Sequence, residues 1–222
     1  LSESRFDRTA DRYAKAAAAK DWSRLVDLCR PSASDSALDV GAGPGLFSAA
    51  LAPHVARAVA LDPSAALLEH APDSVERAIG TGEDIPFPEA SFDLVTVVNT
   101  LHHVDDMHAT LAEMVRVLTP DGRIVVQDYL ADDDPAAAAR WETVERLRDP
   151  DHRRLPRRGE VAAALAPHGL AVDEEREWRS AWELEPWLEM AGTPDDARVR
   201  VRELVGAPRF ETAAWMARFA PA

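Results

Sequence analysis

The run Asp39-Val40-Gly41-Ala42-Gly43-Pro44-Gly45 follows a short apolar stretch and leads into Leu46-Phe47, which places a glycine-rich turn between a strand and a helix. Glycine reaches backbone angles closed to other residues and lets a ligand approach the main chain, and the first turn of a helix offers unpaired N–H groups. The loop therefore reads as a nucleotide-cofactor site. A dinucleotide fingerprint needs Gly-x-Gly-x-x-Gly or Ala, but here Leu46 stands at the last position and the third glycine, Gly45, comes one residue early. That spacing disfavours NAD.

Apolar runs and helix-forming runs alternate after the loop. Strands are expected over 36–40, 56–61, 75–79, 94–99 and 122–128, and helices over 45–51, 64–70 and 107–118. Such alternation predicts an α/β fold with a doubly wound, mainly parallel sheet. Asp134-Pro135 reads as a capped helix start running to about residue 147, followed by a helix over 159–166, a strand over 170–178, a helical insert between 182 and 205, and a last strand over 212–219. Residues 6–28 read as two helices or one bent one. With 222 residues and 46% hydrophobic content, one buried domain is expected, with N-terminal cap helices over 1–30 and helical lid inserts over 131–167 and 182–208.

The run from Asp39 to Gly45 resembles the first motif of class I S-adenosylmethionine-dependent methyltransferases. Further matches follow in order: Val59-Ala60-Leu61-Asp62; Gly80-Thr81-Gly82-Glu83-Asp84 with Ser91-Phe92-Asp93; Leu101-His102-His103-Val104; and Arg116-Val117-Leu118-Thr119-Pro120-Asp121-Gly122. They are similar to the small-molecule branch that includes the ubiquinone and menaquinone methyltransferases, closely over about 6–128 and less so beyond. The resemblance implies a Rossmann-like fold of seven strands whose last strand runs antiparallel between the fifth and sixth.

It also implies site roles. The cofactor is S-adenosylmethionine and the product S-adenosylhomocysteine. Asp39 fixes the loop or accepts from the cofactor's amino group, Gly41, Gly43 and Gly45 shape the loop, and Asp62 beside Pro63 holds the ribose hydroxyls. Thr81, Gly82 and Glu83 line the adenine position, with Thr81 departing from the aspartate of many relatives. Asn99 ends the fourth strand at the cofactor, and Tyr13, in a run similar to an N-terminal family motif, closes over it, with core packing as the rival role.

An acceptor hydroxyl benefits from a nearby base, and histidine, with a pKa of roughly 6.5, suits that task. His103 and His152 are the candidate bases, each with a structural role as the alternative. His102, Asp128, Tyr129 and Trp182 are candidate acceptor contacts. Five of the six tryptophans come after residue 140, which fits an aromatic acceptor pocket and efficient burial of small helices equally well. The arginines between 153 and 158 read as a solvated connector rather than an anion site.

A formal charge of -14 would repel a phosphate backbone, so nucleic acid is excluded as a partner. No apolar run approaches the roughly 18 residues of a membrane span. Cys29, the single cysteine, leaves no disulfide framework or zinc cluster, so no metal and a cytoplasmic, reducing setting are expected. Lys15 and Lys20 are the two lysines beside an excess of arginine, a bias of GC-rich genomes that points weakly to specialised metabolism.

The expected activity is transfer of a methyl group to an O, N or C nucleophile of a small organic acceptor by in-line displacement. Two alternatives stay open: a non-methylating reaction on the same fold, such as cyclisation or decarboxylation, and a non-catalytic cofactor-binding partner subunit. Monomer and homodimer are both compatible with the sequence.

Overall fold

The computed structural model of the chain describes residues 11, 14, 15 and 20–222. Among them, seven strands form one sheet: β1 (Ser36–Val40), β2 (Arg57–Asp62), β3 (Glu76–Ile79), β4 (Phe92–Val98), β5 (Leu118–Tyr129), β6 (Leu170–Glu183) and β7 (Arg209–Pro221). The order is β3-β2-β1-β4-β5-β7-β6. Strands β1 to β5 pair in parallel, and β7 is antiparallel to both β5 and β6. The expected topology, with the last strand between the fifth and sixth, is the one observed.

Alternation along each strand decides which layer covers which face. Leu38, Val40, Leu61, Val95, Val97, Ile124 and Val126 pack on one side against Leu111, Met114 and Val117 of α4 (Met107–Val117). On the other side Ala37, Leu94, Val125 and Met216 meet Leu25, Leu28 and Cys29 of α1 (Ser23–Cys29) and Phe47 and Leu51 of α2 (Leu46–Leu51). Each fully buried large aliphatic side chain contributes roughly 1.5–3 kcal/mol, so this two-sided core fixes the sheet register.

The chain runs from β1 outward to β2 and β3, then returns to place β4 on the other flank of β1. The connections leaving β1 and β4 diverge, and a crevice opens beyond their C-terminal ends, the usual ligand position in an open α/β sheet.

Helix α3 (Ala65–Leu68) is shorter than expected. Ser64 caps it by accepting from the Leu67 N–H, but the N–H groups of His70 and Ala71 reach back three residues, and Pro72 ends the turn. Helix α5 (Pro135–Arg148) starts as its Asp-Pro pair predicts, with the Asp134 carboxylate accepting from the N–H groups of Ala136 and Ala137. Helix α6 (Glu160–Leu165) precedes β6.

Strands β6 and β7 extend further than the sequence led us to expect. Their pairing continues to Glu183↔Arg209, whereas β5 follows β7 only as far as Ala214, so a two-stranded ribbon projects past the sheet. The ribbon carries α7 (Leu184–Ala191) and α8 (Asp195–Val205) at its end. With α5 they build a separate small core of Val144, Leu184, Trp187, Leu188 and Val201. Arg148 lies over the Trp187 ring at 4.2 Å, adding a cation–π contact to that core.

Candidate functional site

Asp39, the last residue but one of β1, is in register with Thr96 of β4, so their side chains share one face. Thr96 Oγ1 donates to Asp39 Oδ1 at 2.8 Å, and Ser48 Oγ of α2 donates to Oδ2 at 2.8 Å. Burial pushes the carboxyl up to about 6; the hydroxyls of Thr96 and Ser48 counter that push, and neighbouring Asp62 adds to it.

The glycine loop is fastened on both sides. Asp62, at the end of β2, accepts from the Gly43 N–H and from the Ser64 N–H, each at 2.8 Å. Thr100 Oγ1 donates to the Gly41 carbonyl at 3.0 Å. Gly41 has φ +66°, and a Cβ there would overlap the Thr100 side chain, so only glycine fits. Gly43 has φ +54°, and a Cβ there would meet only Leu67 Cδ1 at 4.0 Å, which leaves the approach to the loop's main chain open.

A cavity of about 360 Å³ lies over this loop. Asp39, Gly41, Gly43, Asp62, Pro63, Thr81, Gly82, Glu83, Asn99 and His103 are among its lining residues. Gly45 stands behind, as the N-cap of α2. Glu83 Oε1 accepts from the N–H groups of Asp105 and Asp106, tying the Thr81 loop to the start of α4. Asn99 has φ +53°, a conformation that asparagine tolerates better than most residues, and sits where β4 ends at the cavity. Tyr13 lies outside the described residues.

A second cavity, of about 560 Å³, adjoins the first through Lys20, Trp22 and Asn99. Tyr129, Trp178, Trp182 and Met216 give it an aromatic and apolar wall. The tryptophans divide between the two roles their clustering left open: Trp178 and Trp182 face this cavity, while Trp141 and Trp187 stack in the small helical core at 5.9 Å.

Three histidines meet beside the cavities. The His102 ring centroid is 4.1 Å from that of His103 and 5.7 Å from that of His152. His102 Nδ1 is 2.6 Å from Asp128 Oδ1. His103 Nδ1 is 3.3 Å from the Asp151 carbonyl, and His103 lines the smaller cavity. The His152 side chain is 1% exposed, with Nε2 at 2.9 Å from Glu142 Oε2. This placement turns His152 away from both cavities and into the wall. Burial opposes ionisation of Glu142, but the bonds from His152 and the Leu155 N–H hold its carboxyl below the usual range.

Glu142, Thr100 and Lys20 are site residues that the motifs did not single out. Glu142 and His152 are ten residues apart on either side of a turn, and no periodicity marks their contact. The connector arginines pair internally: Arg153 with Asp105, Arg154 with Glu160, and Arg158 with Asp133 and Glu177.

Residues 38–126 match the family model described as a methyltransferase domain. The chain is 29% identical over 211 residues to an uncharacterized methyltransferase of Bacillus subtilis, YcgJ, covering 90% of this chain and 83% of that one. The crystal structure of YcgJ superposes with a TM-score of 0.85 at 26% identity, covering 90% of this chain and 97% of that one. A demethylmenaquinone methyltransferase of Clavibacter sepedonicus is 31% identical over 168 residues, covering 73% of this chain and 66% of that one.

Proposed function

This chain carries a class I methyltransferase domain, and from that premise we propose that it transfers a methyl group from S-adenosylmethionine to a small organic acceptor, releasing S-adenosylhomocysteine. The observation that carries the reading is the glycine loop held open at the sheet crevice by Asp62 on one side and Thr100 on the other. The residues present fit the cofactor: an open main chain at Gly43, a buried carboxylate at Asp39 for an ammonium group, and a second carboxylate at Asp62 for the ribose hydroxyls.

When bound, S-adenosylmethionine supplies an electrophilic methyl group on a sulfonium sulfur. The protein's part is alignment and exclusion of water. Alignment supplies roughly 7–11 kcal/mol, and a general base adds about 10²–10⁴-fold, so orientation dominates. Asp39 and the loop from Gly41 to Gly45 hold the amino acid end, Asp62 and Pro63 the ribose, and the Thr81, Gly82 and Glu83 loop the adenine. Asn99 stands at the junction with the larger cavity, where the acceptor binds against Tyr129 and Trp182, and His103 lines the smaller one. His152, bonded to Glu142, stiffens the wall beside His102 and His103. The inserts at 131–167 and 182–208 form the lid.

Asp39 makes cofactor binding pH-dependent. With its pKa near 6, the carboxyl of the unliganded protein is ionised at pH 7 and protonated at pH 5. Attraction for the ligand's ammonium is therefore lost as pH falls. Titration with S-adenosylhomocysteine should show affinity dropping by up to about tenfold per pH unit below 6, and Asp39→Asn should flatten that dependence. The group's effect on stability has the opposite sign. Its folded pKa lies above the unfolded one, so the unliganded fold loses stability as pH rises from about 4 through 6.

Incubation with trideuteromethyl S-adenosylmethionine and a panel of phenols, amines and carboxylic acids tests the activity by mass. The reading requires a product that gains the labelled methyl group. A converted acceptor without that gain would support the non-methylating alternative instead.

A further inference from the structure

The larger cavity reverses the charge balance of the chain. Lys20, Arg24 and Arg176 line it against two carboxylates, Asp21 and Glu177, whereas the whole sequence carries 25 basic residues and 39 acidic ones. Some of these groups are already committed. Arg176 is paired with Glu174 at 2.5 Å, Glu177 is paired with Arg158, and the Asp21 carboxylate accepts from the Ser23 N–H at 2.9 Å. Lys20 and Arg24 are not: among the described residues neither forms an ion pair, and Arg24 acts on Asp21 only across space. Lys20 Nζ lies 5.3 Å from the centre of the Trp22 ring, which lines the same cavity.

The tryptophans of the outer wall offer faces rather than donors. Trp178 Nε1 donates to Ser180 Oγ and Trp182 Nε1 to Thr212 Oγ1, each at 3.0 Å. Gln127 Nε2 is turned towards Asn99 Oδ1 at 3.5 Å. Trp178 keeps 37% exposure at this wall, where a flat ligand would cover it. The strongest donors left to meet a ligand are the Lys20 ammonium and the Arg24 guanidinium. An ion pair open to water contributes little, but a ring laid against Trp178 excludes water from beside its own charged group and strengthens the attraction.

We propose that the larger cavity selects a planar aromatic acceptor bearing a carboxylate, its ring against Trp178, Trp182 and Tyr129 and its charge met by Lys20 and Arg24. The inference rests on the methyl-transfer reading of the same site and names the acceptor class. Three cations against two carboxylates suit a single negative charge, and Asp21 and Glu177 would repel the second charge of a phosphate ester. A cationic amine would meet Lys20 and Arg24 with no carboxylate to offset them. Lys20 lines both cavities and so stands where the two ligands meet, while Arg24 lines the larger one alone. Both residues set specificity by holding the acceptor, and neither takes part in the making or breaking of bonds.

Calorimetric titration of the full chain with cinnamate and with cinnamamide tests this, because the two probes share a planar frame and differ in charge. Saturating S-adenosylhomocysteine keeps both out of the cofactor cavity. At about pH 8, where the carboxylate and Lys20 are both ionised, cinnamate should bind at least about tenfold more tightly than cinnamamide. Added salt should shrink that preference. Lys20→Gln and Arg24→Gln should each weaken cinnamate about threefold or more and leave cinnamamide unchanged, and the double variant should bring the two probes level. Arg24→Gln should leave affinity for S-adenosylhomocysteine as it is. Equal or tighter binding of cinnamamide, no binding of either probe at millimolar concentration, or a preference that survives in the double variant would each overturn the proposal. So would a Lys20→Gln variant that loses S-adenosylhomocysteine affinity but binds cinnamate as before, since Lys20 would then serve the cofactor. Failure of S-adenosylhomocysteine to bind the parent chain would instead strike the methyl-transfer reading, while the comparison of the two probes could still be made on the unliganded chain.

Discussion

Asp62→Ala should weaken binding of S-adenosylhomocysteine at least about thirtyfold, a change of roughly 2 kcal/mol. The carboxylate accepts from the N–H groups of Gly43 and Ser64, so its removal frees the glycine loop and the start of α3 together. Hydrogen bonds to a charged group contribute roughly 1.5–3 kcal/mol each, and the proposed bonds to the ribose hydroxyls disappear as well. Part of the loss falls on the free protein, so a fall in melting temperature should accompany the weaker binding. Asp62→Asn should lie between, because its amide oxygen serves one N–H while its NH2 group opposes the other. A calorimetric titration in which Asp62→Ala binds as tightly as the parent protein would remove Asp62 from the site.

Gly41→Ala is the second large effect, and it arises from geometry rather than charge. At φ +66° an alanine is strained by roughly 1–2 kcal/mol, and its Cβ would overlap Thr100, whose hydroxyl is committed to the Gly41 and Val98 carbonyls. Thr100 is branched at Cβ and pinned by those bonds, so the loop must move instead, at the surface that the cofactor has to approach. Affinity for S-adenosylhomocysteine should fall by at least about a hundredfold, the equivalent of some 2.8 kcal/mol. Removing the obstruction with Thr100→Gly in the same chain should restore part of the loss and leave the portion due to backbone strain. Equal affinity for Gly41→Ala and the parent would contradict the packing of this loop.

The elements that position the site were legible because burial and turn chemistry write themselves into sequence. Strand β1 was expected over 36–40 and is observed there, since both of its faces are covered and its side chains are apolar apart from Ser36 at its start and Asp39. The Asp134-Pro135 start of α5 is likewise local chemistry. The far halves of β6 and β7 were not legible. Arg179 to Glu183 and Arg209 to Glu211 are mostly polar, and in those stretches only Trp182 and Phe210 pack against the small helical core, too little apolar alternation to mark a strand.

The site divides in the same way. Gly41, Gly43, Gly45 and Asp62 were readable as a spacing, and the structure brings them together at the end of β1 and β2. The pairs His102–Asp128 and His152–Glu142 were not, because each joins side chains set beside one another only by the folded chain. His102 and Asp128 were both singled out as acceptor contacts, but their bond shows only once β5 is placed beside β4. Among the described residues no helix is long and apolar enough to cross a membrane.

Isothermal titration of the purified chain with S-adenosylhomocysteine, with NAD as the control ligand, tests the central claim most directly. The account predicts micromolar or tighter binding of S-adenosylhomocysteine, weakened by Asp62→Ala, and no heat from NAD. Preference for NAD, or no binding of S-adenosylhomocysteine, would mean that the loop from Asp39 to Gly45 serves another ligand and that the proposed methyl transfer is wrong.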